Sequence, residues 1–151
     1  MTDPIIWIVL GFLLIVSIID FKVKAIPSIF LTGMIFVVAF VNPANLWFGL
    51  MGLIMACLLY EAGFFSGMAD IKIMTLIAFL LSTTNQFFLY VFLVLLFGIV
   101  WKALWNWRFK LKNKELPDEF PFVPVFLFVY ATLLYIKIQL GVWAWKRWLK
   151  N

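Results

Sequence analysis

The sequence has no histidine, a single cysteine, and charged residues at only 13% of its 151 positions. Without histidine there is no imidazole ligand, no histidine base and no Ser-His pair. The lone Cys57 excludes an internal disulfide and any paired-cysteine zinc site. Within its apolar run it reads as a buried small hydrophobe. Chemistry is left to carboxylates, amines and hydroxyls, and no cofactor or metal is expected. Charge is scarce too, at roughly half the fraction found in an average soluble domain.

What fills the chain instead is apolar: 66% of residues are hydrophobic and 20% aromatic, with a mean hydropathy of +1.11. A water-soluble domain of this length has too little interior to hide so much apolar surface, so lipid must be its solvent. The expected fold is an all-α membrane protein, a single-domain polytopic bundle of about six transmembrane helices over residues 1–151. Apolar runs separated by polar or Pro/Gly breaks place the spans at Ile5–Ile19, Pro27–Val41, Leu46–Phe65, Asp70–Ser82, Phe87–Trp101 and Pro121–Leu140. Several are short, since 15 residues of helix rise only about 22 Å. The first run follows Asp3-Pro4 rather than a basic segment and no small-residue cleavage site succeeds it, so it is expected to stay as the first helix.

The net charge of +5 invites a nucleic-acid reading, but the positive residues cluster at the ends of apolar segments and act as topology signals. Lys22 and Lys24 put the end of the first helix in the cytosol, hence the N-terminus outside. Lys72, Lys102, Arg108, Lys110, Lys112 and Lys114 then fall on the cytosolic side, against Lys146, Arg147 and Lys150 outside. The longest connection, a cytosolic loop near 102–120, carries "WKALWNWRFKLKNK" (Trp101 to Lys114), which reads as a tryptophan belt with inner-leaflet lysines. The tail at 142–151 has the pattern of an amphipathic helix lying on the outer surface. Membrane lipids are expected contacts; nucleic acid is not.

Among the acidic residues, Asp3, Glu115, Asp118 and Glu119 lie in polar flanks, and Glu61 fits an interfacial position. Asp20 and Asp70 have no such explanation. Burying a carboxylate in hydrocarbon costs about 2.5 kcal/mol or more, so one inside a bundle should be paired, protonated or at work. Asp20 ends the first helix and Asp70 begins the fourth, which brings both to the cytosolic face. Two carboxylates that approach each other do not both ionise readily. One then serves as base toward a water while the other, protonated, polarises a peptide carbonyl. Lys72 lies about 200° round the helix from Asp70 and is expected to be an inner-face anchor rather than its partner. Gly63 and Gly67 have a small-xxx-small spacing that leaves room for backbone or an extended substrate beside Asp70. Pro27 breaks the chain near Asp20.

These residues resemble a known family. "DFKVKAIPS" (Asp20 to Ser28) is similar to the aspartate-hydrophobe-basic-x-basic-x-Ile-Pro-Asn segment of type IV prepilin peptidases, and "GMADIK" (Gly67 to Lys72) to their Gly-x-Gly-Asp-x-Lys motif. "FPFVPVFL" (Phe120 to Leu127) resembles the Pro-Phe-x-Pro segment that opens a later helix. Ala69 stands where the second glycine is usual, as in archaeal-type members, and Ser28 where Asn or Asp is usual. The resemblance implies an intramembrane aspartic endopeptidase with Asp20 and Asp70 as its catalytic pair. Its partners would be pilin-like or preflagellin-like precursors, cut at the cytosolic membrane face between a basic leader and an apolar helix. The chain lacks the paired cysteines of a methylating domain, so cleavage without methylation is implied. The alternative from the residues themselves is a small proton- or ion-coupled transporter using the same carboxylates, for which Lys137 is the one further mid-depth candidate. A non-catalytic assembly protein is the third reading.

Overall fold

A computed structural model describes residues 4–23, 28–111 and 121–148; the side chains of Val23 and of residues 141–148 are outside that description. The described residues form six α-helices and no strand: α1 (Pro4–Val23), α2 (Ser28–Val41), α3 (Leu46–Glu61), α4 (Met68–Ala78), α5 (Thr84–Leu111) and α6 (Val123–Trp148). A single 3-10 turn, Pro43–Asn45, leads into α3. The all-α expectation holds. Four stretches, within α1, α3 with its preceding turn, α5 and α6, are long and apolar enough to cross a membrane. The other two are shorter, at 14 residues for α2 and 11 for α4.

The shortest helix is the centre of the bundle. Nearly all of α4 is buried, from Asp70 and Ile71 through Ile73 to Ala78. At about 16 Å it falls short of a hydrocarbon core, and it is its neighbours that meet the surroundings. α2, α3 and α6 pack against it, and Tyr90 of α5 donates its buried hydroxyl to the Met74 carbonyl at 3.2 Å. The closest of these contacts rests on missing side chains. Gly49, Gly52 and Ala56 make the buried face of α3. A Cβ on Gly49 would stand 2.3 Å from the Phe79 ring, and one on Gly52 would stand 2.4 Å from the Ala78 Cβ. At the same end Asn45 donates to the Phe79 carbonyl at 3.1 Å and fixes the start of α3 to the end of α4.

The outer surface is as apolar as the interior. Ile8 and Ile15 on α1, Phe36 and Phe40 on α2, Ile54 and Leu58 on α3, and Phe92 and Ile99 on α5 are all exposed, Phe40 at 89%. An apolar shell around an apolar core suits a chain whose solvent is lipid.

Several sequence-based expectations change. Cys57 is exposed on α3 rather than buried; it shares the outward side of that helix with Ile54 and Leu58. α5 continues to Leu111, so residues 102–111 of the expected loop are helical, and 112–120 lie outside the described residues. Trp101 and Trp105 are half-buried, with ring centroids 6.3 Å apart, while Trp107 is exposed. α6 runs without a break to Trp148, through most of the segment expected to form a separate surface helix; the amphipathic pattern expected there rests on side chains outside the described residues.

Candidate functional site

One end of the bundle gathers the C-terminal turns of α1 and α3 and the N-termini of α2, α4 and α6. Asp70 sits there in the first turn of α4, 4% exposed. The approach to it begins at the end of α3. Gly63, with φ of +71°, takes the left-handed conformation that glycine adopts without strain. Phe64 then donates to the Leu59 carbonyl and Gly63 to that of Tyr60, both at 2.9 Å, which closes α3 with a Schellman motif. Three residues on, Gly67 caps α4 in extended backbone.

A helix N-terminus leaves amides without partners inside the helix, and a carboxylate in the first turn satisfies them. Asp70 Oδ2 accepts the Ser66 amide at 3.1 Å, the Gly67 amide at 3.3 Å and the Ser66 hydroxyl at 3.3 Å. Oδ1 takes part in none of these three bonds.

Asp20 is half-buried in the last full turn of α1, one turn before the helix ends at Val23. Its Oδ2 accepts the amide of Val123, the first residue of α6, at 3.2 Å. The second residue of α6, Pro124, has no amide proton, and Val125 donates to the Phe122 carbonyl at 2.9 Å. Asp20 thus completes the N-terminus of a helix 103 residues further along the chain. It also lies within electrostatic range of Asp70.

The segment before α6 is held from three sides. Trp101 Nε1 donates to the Pro121 carbonyl at 2.7 Å. Phe122 packs edge-on to Phe64 and Phe65, with ring centroids 5.5 and 5.1 Å apart, and meets Phe126 at 5.3 Å. Gly98 of α5 makes space for this cluster: a Cβ there would stand 2.6 Å from Phe64 and 2.8 Å from Phe122. Beside Asp20, Phe21 meets Trp105 edge-on at 6.0 Å, and the buried Trp105 indole N–H has no hydrogen-bond partner among the described residues.

The other sequence candidates fall as follows. Lys72 does not meet Asp70. Its ammonium donates to the Ser28 hydroxyl, to Thr32 Oγ1 at 2.8 Å and to the Ser28 carbonyl at 3.4 Å. Three donors against three acceptors make a clamp between α4 and α2. Gly63 and Gly67 are caps outside any helix, so their spacing is not a helix-packing motif; the close-packed glycines are Gly49, Gly52 and Gly98. A Cβ on Gly67 would meet nothing within 4 Å, so there is open space beside Asp70. Ala69 is half-buried against the core. Pro27 lies outside the described residues. No group of three His, Cys, Asp or Glu side chains occurs among the described residues. A recess of about 300 Å³ lies at the opposite end of the bundle, away from both aspartates.

Sequence reasoning missed the bond from Asp20 to Val123. Its signal was local: Phe122, at the cap position of α6, has no side chain able to accept an amide, so an acceptor had to come from elsewhere. No family model, curated protein or solved structure matches the chain.

Proposed function

We propose that the chain is an intramembrane aspartic endopeptidase that removes basic leader peptides from pilin-like or preflagellin-like precursors, without methylating the product. The observation that carries this is the meeting of three sequence motifs at one end of the bundle. Asp20 and Asp70, fifty positions apart, come within electrostatic range, and Asp20 is bonded to the first residue of α6, inside the Phe120–Leu127 motif.

In this reaction the ionised aspartate takes a proton from water as the water oxygen adds to the scissile carbonyl. The protonated aspartate donates its hydrogen bond to the carbonyl oxygen, and collapse of the tetrahedral adduct passes a proton to the leaving amine nitrogen. Backbone amides hold one oxygen of each carboxylate, and this fixes their orientation before substrate arrives. Oδ1 of Asp70 is outside the bonds that hold Oδ2 and would be the oxygen to meet the water, and the space beside Gly67 is where an unwound peptide would lie.

The lysine distribution supports a cytosolic position for this end in a cell membrane, with the N-terminus outside. An ion relay using the same aspartates draws less support. Among the described residues, the buried charged, amide and serine or threonine side chains are Ser17, Asp70 and Thr75, and Thr75 donates back into its own helix, to Ile71.

The test is co-expression with candidate precursors and mass measurement of their N-termini. Shortening by a leader in wild type, lost in Asp20→Asn and in Asp70→Asn, is the expected result.

A further inference from the structure

The recess of about 300 Å³ at the end away from the aspartates lies between α6, the start of α1 and the connection from α4 to α5. Its wall is apolar, with Leu81, Leu89, Leu133 and Leu134. Its polar groups are few: Thr83, Asn85, Gln86 and Lys137. Tyr130 also lines it, and its hydroxyl donates to the Ile6 carbonyl at 3.1 Å, which ties α6 to α1 there. A mostly apolar hollow of this size with a few polar groups is the usual make-up of a small-ligand site.

Lys137 carries the one charge among these lining residues. Gln86 Oε1 is occupied by the Ser82 amide at 3.0 Å and the Ser82 hydroxyl at 3.2 Å, which leaves the side-chain NH₂ to donate. Lys137 has no hydrogen-bond or ion-pair partner among the described residues. The described acidic residues are Asp20, Glu61 and Asp70, and all three belong to the other end of the bundle. A cation and an amide donor over an aliphatic wall, where the α4–α5 connection reaches the bundle end, match a ligand with an anionic head and a hydrocarbon tail.

We propose that this recess is a binding site for an anionic phospholipid of the adjoining leaflet. The phosphate faces Lys137, Gln86 and the Thr83–Asn85 edge, and one acyl chain lies along Leu89, Leu133 and Leu134. A lysine ammonium at such a rim pairs with a phosphate oxygen through a charge-assisted hydrogen bond. The site is independent of the proposed proteolysis, since it touches neither aspartate.

The full chain, purified in detergent, is titrated with phosphatidylglycerol, with phosphatidylcholine and with inorganic phosphate, and bound species are counted by native mass spectrometry. Wild type is expected to favour phosphatidylglycerol over phosphatidylcholine by about fivefold. Lys137→Gln abolishes that preference and Lys137→Arg keeps it. Lys137 is exposed, so both variants should unfold at the wild-type temperature without lipid. Equal binding of the two lipids by wild type overturns the proposal, as does a preference that survives in Lys137→Gln. Displacement of phosphatidylglycerol by inorganic phosphate alone also overturns it, because the acyl chain would then contribute nothing.

Discussion

The Asp20 carboxylate accepts the Val123 amide at 3.2 Å, so the last full turn of α1 caps the first turn of α6. The same side chain therefore has a structural duty and, on the proposed function, a chemical one, and the two separate by substitution. Asparagine caps a helix about as well as aspartate, whereas alanine costs about 1 kcal/mol. Asp20→Asn should unfold within about 0.5 kcal/mol of wild type and Asp20→Ala about 1 kcal/mol below it. Both should lose at least about 100-fold in precursor cleavage. Thermal unfolding in detergent beside a cleavage assay checks the pair; normal cleavage by Asp20→Asn would leave the carboxylate with capping alone.

Asp70 allows the complementary comparison. Ser66→Ala removes one of the three bonds to Oδ2 and keeps both amides. It should cost about 1 kcal/mol and leave cleavage within a few-fold, because the carboxylate remains. Asp70→Asn should abolish cleavage with folded protein retained, as seen by size-exclusion elution and helical circular dichroism.

Gly63 and Gly67 look alike in sequence and should respond differently. Gly63 has a φ of +71° and Gly67 is extended. Gly63→Ala is expected to lower stability by about 1 kcal/mol, the cost of a left-handed residue with a Cβ. Gly67→Ala meets open space and should change stability by less than that. If a peptide passes there, the Gly67→Ala variant raises KM with kcat little changed. Unfolding curves for both variants, and kinetics for the second, make the distinction.

The α3–α4 contact gives a prediction about packing alone. Gly52→Val would drive side-chain carbons into Ala78, whose Cβ has no rotamer to yield. A loss of about 1–3 kcal/mol is expected. Gly33, where a Cβ meets nothing within 4 Å, is the control: Gly33→Ala in α2 should be neutral or stabilising, since alanine is the better helix former by about 1 kcal/mol. Detergent unfolding of the two variants checks both directions.

The helices were legible because apolar runs and Pro/Gly breaks delimit them, and α4 was recognised as a short run opening at Asp70. Its centrality was not legible, since α2 and α3 are more apolar than α4 and only packing decides which helix is enclosed. The small residues misled for a related reason: glycine serves caps and close contacts alike. The Gly63 and Gly67 spacing suggested packing where φ and backbone bonds make caps, while Gly49 and Gly52, three apart, passed unnoticed. Trp101 reads from sequence as a belt residue, and its bond to the Pro121 carbonyl depends on the chain returning there twenty residues later. Asp20 and Asp70 were found from hydrocarbon energetics and from the motifs, but their work as caps for α6 and α4 depends on contacts that sequence spacing alone does not give.

The central claim, that Asp20 and Asp70 act together on a peptide bond, is tested most directly by the masses of precursor N-termini after co-expression. Wild type should yield precursor shortened by its leader with a free, unmethylated N-terminus, and Asp20→Asn and Asp70→Asn should each leave the precursor intact while remaining folded. Shortening at the wild-type rate by either variant would contradict the two-aspartate mechanism.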